Sequence, residues 1–237
     1  MRVLKVPFSG GSLGKNKGCE KAPDAVLDAA KNFFLNESGI KPVFVPVDVK
    51  VFSDNISETN NSIGEAVQKL NPNEFVVMLG GDHSITYAAV KAFAKKHSNP
   101  GIVIFDAHPD CETAFSPPTH EDLVDTMVEE GIIRPGNIII VGLRNWHDNE
   151  KRFIEKHKIN IFPMKEISNE GVQEICDSVM TAANSFGALY LSIDIDAVDP
   201  AFAPGTGYPE PGGLTSRELI YFVQRLRKIK NIKMADV

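Results

Sequence analysis

The chain has 237 residues, 43% apolar and 24% charged, with 25 basic against 31 acidic side chains for a formal net charge of −6. No apolar run approaches the roughly 20 residues of a membrane-spanning helix, and the scattered basic residues form no stripe of the kind that nucleic acid requires. Cys19, Cys111 and Cys176 are odd in number and without a CxxC pair, so they supply neither a disulfide framework nor a thiolate metal site.

The N-terminal MRVLKVPFSGG turns glycine-rich after one short apolar run, so we expect no signal peptide and a cytoplasmic protein that binds neither membrane nor nucleic acid. The length suits one α/β domain over 1–237. Short Val- and Ile-rich runs follow near 2–7, 42–48, 75–79, 101–106, 137–142, 159–162, 188–195 and 231–237. Most are continuously apolar, as strands covered on both faces should be. Helical spacing lies between them, in Ile85, Ala88, Ala89, Ala92 and Phe93, and again in Leu219, Phe222, Val223 and Leu226. Thr119 with Asp122 and Thr215 with Glu218 have capping-box spacing at helix starts. The basic RLRKIK at 225–230 reads as the solvated face and C-terminal end of the last helix. The pattern predicts a three-layer, doubly wound, mainly parallel eight-stranded sheet, with ligands bound beyond the carboxyl ends of the strands.

Three segments place His and Asp just after predicted strands: Gly80-Gly81-Asp82-His83-Ser84, Asp106-Ala107-His108-Pro109-Asp110 and Asp194-Ile195-Asp196. In an extended chain, alternate side chains share a side, so Asp106, His108 and Asp110 should converge, as should Asp194 and Asp196, with Ile193 and Ile195 turned into packing. A lone Asp after a strand is more often a turn or cap than a ligand, and Asp82 and Ser84 are placed to cap the helix that follows. Three acid-rich clusters, each at a strand end, are not explained in that way one by one. Crowded carboxylates repel unless cations neutralise them. An oxygen-rich set with two imidazoles suits Mn²⁺, and six candidate ligands fit two ions roughly 3.5–4 Å apart better than one.

GGDHS at 80–84, DAHPD at 106–110 and SIDIDAVDPAFAPGTGYPEPGGLTSRE at 192–218 resemble the three signature regions of the ureohydrolase (arginase, agmatinase and formiminoglutamase) family, and GCEKAP at 18–23 resembles its N-terminal loop. The resemblance implies an arginase-like fold and two Mn²⁺ per chain. It assigns His83, Asp106, Asp110 and Asp194 to one ion and Asp106, His108, Asp194 and Asp196 to the other, with Asp106 and Asp194 bridging. The pair would activate water against the carbon of a small guanidino substrate. His120 matches the family's proton-shuttling histidine, and a helix start at Thr119 would hold its pKa near or below the usual value. His97, His147 and His157 have no such company and read as surface residues.

Glu112 stands where arginases carry an Asn, which argues against arginine, and PGTGYPEPGGL reads more like agmatinases, although Tyr208 replaces a usual Thr. Glu112 and Tyr208 are therefore the candidate substrate-binding residues, and agmatine, cleaved to putrescine and urea, is the expected substrate. Arginase and formiminoglutamase chemistry remain alternatives, a deacetylase-like amidohydrolase is a poorer one, and a metal-binding family member acting as a partner or regulator is another. The resemblance further implies a homo-oligomer, trimer or hexamer, and a substrate-binding Glu two positions beyond Val237.

Overall fold

The computed structural model describes residues 1–237. All eight predicted strands form: β1 (Arg2–Lys5), β2 (Val45–Asp48), β3 (Val76–Leu79), β4 (Pro100–Phe105), β5 (Ile138–Val141), β6 (Asn160–Phe162), β7 (Ala188–Ile193) and β8 (Ile232–Asp236). They make one sheet in the order β2-β1-β3-β8-β7-β4-β5-β6. Every pairing is parallel, so the sheet is wholly rather than mainly so. The central β7 is buried throughout and its neighbour β4 from Gly101 onward, whereas β2 is exposed along its length and carries Pro46, which an edge strand tolerates because it lacks one ladder partner.

Eight helices connect the strands: α1 (Ala22–Ala30), α2 (Ile56–Gln68), α3 (Ile85–Ala94), α4 (Leu123–Glu129), α5 (Asp148–His157), α6 (Met164–Glu170), α7 (Val172–Ala183) and α8 (Ser216–Leu226). Strand alternation divides the core in two. Ile102 and Ile104 of β4 pack with Ile63, Val90 and Leu123 on one face, and Val103 and Phe105 with Val179, Phe222 and Leu226 on the other.

The two proposed capping boxes differ. Thr215 and Glu218 form one at the start of α8, with Glu218 N donating to Thr215 Oγ1 at 3.2 Å and Thr215 N to Glu218 Oε2 at 2.7 Å. Thr119 does not cap α4; Asp122 is the cap position, and its Oδ1 accepts from Thr119 N and Thr119 Oγ1, both at 2.6 Å. A carboxylate with two acceptor oxygens is better used in gathering the loop before α4, since Asp122 Oδ2 also takes Phe115 N at 2.7 Å. Within 225–230, Arg225 is paired with Asp177 of α7 and Ile229 is buried, so that stretch is not simply a solvated face.

Candidate metal centre and active site

The chain winds so that β7 and β4 are neighbours and β3 lies one strand away across β8, and the three release their carboxyl ends at one edge of the sheet, each into one of the three His- and Asp-bearing segments. Gly81 lets the first segment approach closely, because a Cβ there would lie 2.0 Å from the Phe8 carbonyl oxygen. Asp82 then fixes its course. Its Oδ2 accepts from Gly11 N at 2.9 Å, and its Oδ1 accepts from Ser84 N at 2.9 Å and from the Ser84 hydroxyl. Asp82 is a strap between two loops, and Ser84 occupies the cap position of α3 without a side-chain cap bond.

The second segment does not converge by strand alternation. β4 stops at Phe105, His108 N turns back to Asp106 Oδ1 at 2.7 Å, and Asp110 lies in the left-handed region at φ 49°. The consequence is division of labour: Asp106 Oδ2 and Asp110 Oδ2 lie 3.1 and 2.9 Å from His83 Nδ1, while His108 Nδ1 faces Asp196 Oδ2 at 3.0 Å. Asp106 stands between the groups, with its Oδ1 3.5 Å from His108 Nδ1. The third segment also leaves the strand. Asp194 begins a 3-10 turn over Ile195–Ala197 and accepts from Asp196 N at 2.9 Å, and its Oδ2 lies 3.4 Å from His83 Nδ1. Ile193 is buried as expected, but that turn leaves Ile195 40% exposed.

Two donor groups result, His83 with Asp106 and Asp194, and Asp106 with His108 and Asp196, each with its ligand atoms within 4.8 Å of one another. Their electrostatics call for cations. Burial, then the charges of Asp196 and Asp106, pushes Asp194 up to about 7. Burial and the Asp106 charge push Asp110 well above the carboxylate range. Burial works against a charged His108, yet its hydrogen bonds to Asp106 and Asp196 prevail and raise it to about 11. His83 Nδ1 and Asp106 Oδ2 are buried without a hydrogen-bond partner although carboxylates or imidazoles surround them. Unpaired buried donors and acceptors that converge in this way, oxygen-rich and with two imidazoles, fit divalent metal.

Beside this centre opens a cavity of about 110 Å³, whose lining includes Asp194, His108, His120, Glu112, Glu121 and Tyr208. His120 is 6% exposed, and its Nε2 has no hydrogen-bond partner. It sits in the loop ahead of α4, not in the helix's first turn. Burial, rather than a helix dipole, is therefore the main cause that lowers its pKa. Tyr208 donates to Glu121 Oε1 at 3.1 Å. Glu112 accepts from Asn149 Nδ2 at 2.5 Å and pairs with His147 Nδ1 at 2.6 Å. The cavity lining contains no Lys or Arg.

His147, read from sequence as a surface residue, does stand largely exposed, but it caps α5 at the rim of this cavity and its pKa is raised by Glu112. His97 and His157 are half-buried against Phe93 and Phe153. Two further residues shape the site without a motif to mark them. Arg144 sends Nη2 to the carbonyl oxygens of Asp196 at 2.6 Å and Glu210 at 2.7 Å, tying the 208–211 loop to the third segment. Glu121, beside His120, holds Tyr208; adjacency to a candidate histidine was its one available signal.

The sequence and the eight-stranded parallel sheet both have counterparts among known proteins. The model of the Arginase family matches residues 1–237. An arginase of Staphylococcus aureus (strain MRSA252) is 31% identical over 216 residues, 81% of this chain and 72% of the relative. For a second S. aureus arginase (strain COL) the coverage is 78% and 66%, so the chain spans roughly two thirds to three quarters of these relatives. Among solved structures, a hypothetical agmatinase from Burkholderia thailandensis superposes with TM-score 0.87 at 30% identity, covering 100% of this chain and 75% of that one. Formimidoylglutamase from Bacillus subtilis gives 0.92 at 24% identity, covering 99% and 77%, a likeness of fold. The chain belongs to the arginase family, a family of metal-dependent hydrolases. None of its helices is long and apolar enough to cross a membrane.

Proposed function

We propose that this chain is a binuclear manganese amidinohydrolase whose preferred substrate is a guanidino compound with a cationic tail, agmatine being the simplest, cleaved to putrescine and urea. The observation that carries the reading is the pair of donor groups sharing Asp106, set beside the unpartnered Nε2 of His120. His83, Asp106, Asp110 and Asp194 would hold one ion and Asp106, His108, Asp194 and Asp196 the other. In that place two divalent ions would lower the pKa of water towards neutrality and offset the carboxylate charge.

The chain's own groups do the rest. The segments after β3, β4 and β7 are rigidly strapped, so the ligands are oriented before substrate arrives. His120, kept neutral by burial, takes up a proton at Nε2 during attack on the guanidinium carbon and returns it to the departing amine. The tail leaves through the rim. There the carboxylates of Glu112 and Glu121 outweigh His147, which pairs with Glu112, so a positive tail is favoured, and an α-carboxylate would meet no Lys or Arg.

A second reading, arginine as substrate, is favoured by the relatives named arginase at 31% identity. The deciding experiment is urea release by the Mn²⁺-loaded protein from agmatine, arginine and guanidinobutyrate, with formamide scored from formiminoglutamate. A kcat/KM for agmatine at least tenfold above the others supports the reading. Preference for arginine overturns the tail assignment, and two bound metals without turnover on any of the four overturns the enzymatic one.

A further inference from the structure

Asp236 is a carboxylate inside a sheet, 1% exposed at the end of β8, a position where a hydrophobic residue would cost nothing to bury. Its partners are hydroxyls, not cations: Thr86 Oγ1 and Tyr190 OH each donate to Asp236 Oδ2 at 2.7 Å. In the parallel register of β7 and β8, Ser192 lies opposite Asp236. The Ser192 hydroxyl in turn stands 2.9 Å from His83 Nε2 and 3.4 Å from Thr86 Oγ1. A connected line of polar groups thus runs from the sheet interior to the back of His83, whose other nitrogen, Nδ1, faces Asp106, Asp110 and Asp194.

The line is built from the same segments that carry the ligands. Thr86 follows His83 by three residues and its N donates to the His83 carbonyl oxygen at 3.1 Å in the turn that enters α3, and Ser192 precedes Asp194 by two, on the same side of the strand end. A histidine that offers Nδ1 to a cation must carry its proton on Nε2, and that proton needs an acceptor. Ser192 Oγ is within reach of it, and accepting this proton leaves the serine's own hydrogen to be directed onward, to Asp236 or through Thr86. Buried carboxylates behind a metal-binding histidine fix its tautomer and ring orientation and raise its basicity.

We propose that Asp236, acting through Ser192 with Thr86 and Tyr190 as its supports, is a positioning residue that sets the tautomer and orientation of His83 and so tunes the affinity of the His83-side metal. The inference rests on the proposed metal assignment above.

The test is Mn²⁺ binding to the 237-residue wild-type chain and to Ser192→Ala, Asp236→Asn, Thr86→Val and Thr86→Ser, followed by calorimetric titration and by bound metal after equilibration at fixed free Mn²⁺. Thermal midpoints in excess EDTA report the fold alone. Ser192→Ala and Asp236→Asn should weaken one of two ions by about 10- to 100-fold, the range for loss of such supports, and leave the other unchanged. Thr86→Val should weaken the same ion, with Thr86→Ser, which keeps the hydroxyl, near wild type. A merely structural role would lower the EDTA midpoint without separating the two affinities. If wild type binds two ions and Ser192→Ala and Asp236→Asn bind them equally well, the positioning role is overturned and the metal assignment stands. If wild type binds no Mn²⁺, both fall.

Discussion

Asp106→Asn tests the assignment most directly, because one side chain is asked to serve both ions. Asp106 is buried, with Oδ2 3.1 Å from His83 Nδ1 and Oδ1 3.5 Å from His108 Nδ1, so its charge lies between the two donor groups. Asparagine keeps the shape and the bond from His108 N but removes the charge. Breaking a buried charge pairing costs about 3–5 kcal/mol, which at about 1.4 kcal/mol per decade is roughly 10²- to 10³·⁵-fold in affinity. Both ions should be affected. Asp110→Asn, which faces His83 alone, should weaken one, and Asp196→Asn, which faces His108, the other. Bound manganese per chain, measured by elemental analysis after equilibration across a range of free Mn²⁺, reads the pattern. Loss of a single ion in Asp106→Asn with full retention of the second would refute the shared position, and equal effects of all three substitutions would refute the division into two groups.

Further expectations follow from the same geometry. His120→Ala should lower kcat by about 10²-fold, as loss of a proton-transfer group often does, with manganese content unchanged; a kcat within twofold of wild type would return His120 to the role of a buried loop residue. Glu112→Gln should raise the KM for agmatine by about 2- to 10-fold, the equivalent of roughly 0.5–1.5 kcal/mol for one hydrogen-bonding charge, and an unchanged KM ratio of agmatine to arginine would remove Glu112 from tail recognition. His97 supplies a pH test away from the centre. Burial against Phe93, then Lys233 and Lys96, lowers its pKa, so below about 6.5 the unfolded chain binds the extra proton and the native chain resists it. Stability must then fall as pH drops from the unfolded value towards the lowered folded one, and be regained as pH rises. His97→Gln should flatten that part of the profile in urea denaturation of EDTA-treated protein; parallel profiles for the two proteins would show that His97 contributes nothing.

The sheet was legible in the sequence because its strands are covered on both faces. A run such as Ile138–Val141, with every residue buried, has no solvent side to disguise it, and the capping box at Thr215 and Glu218 is a local bond between residues three apart. The three acid-rich segments were legible for the same local reason, each following a strand by a residue or two. Their geometry was not. Extended spacing would have put Asp106, His108 and Asp110 on one side, whereas the chain turns at Phe105 and sends His108 to Asp196 and Asp110 to His83, contacts across 88 residues in the first case and 27 in the second. The reversed role of Asp122, the burial of His120 ahead of α4 and the meeting of Glu112 with His147 depend likewise on what other segments bring near. So does the line from Asp236 to His83, between residues 153 apart in number and joined only because β8 inserts between β3 and β7. Local pattern determines which elements form, since caps and burial act over a few residues. Which donor faces which acceptor is decided by strand order and by turns closed with distant partners, and these exist only when the sheet is assembled.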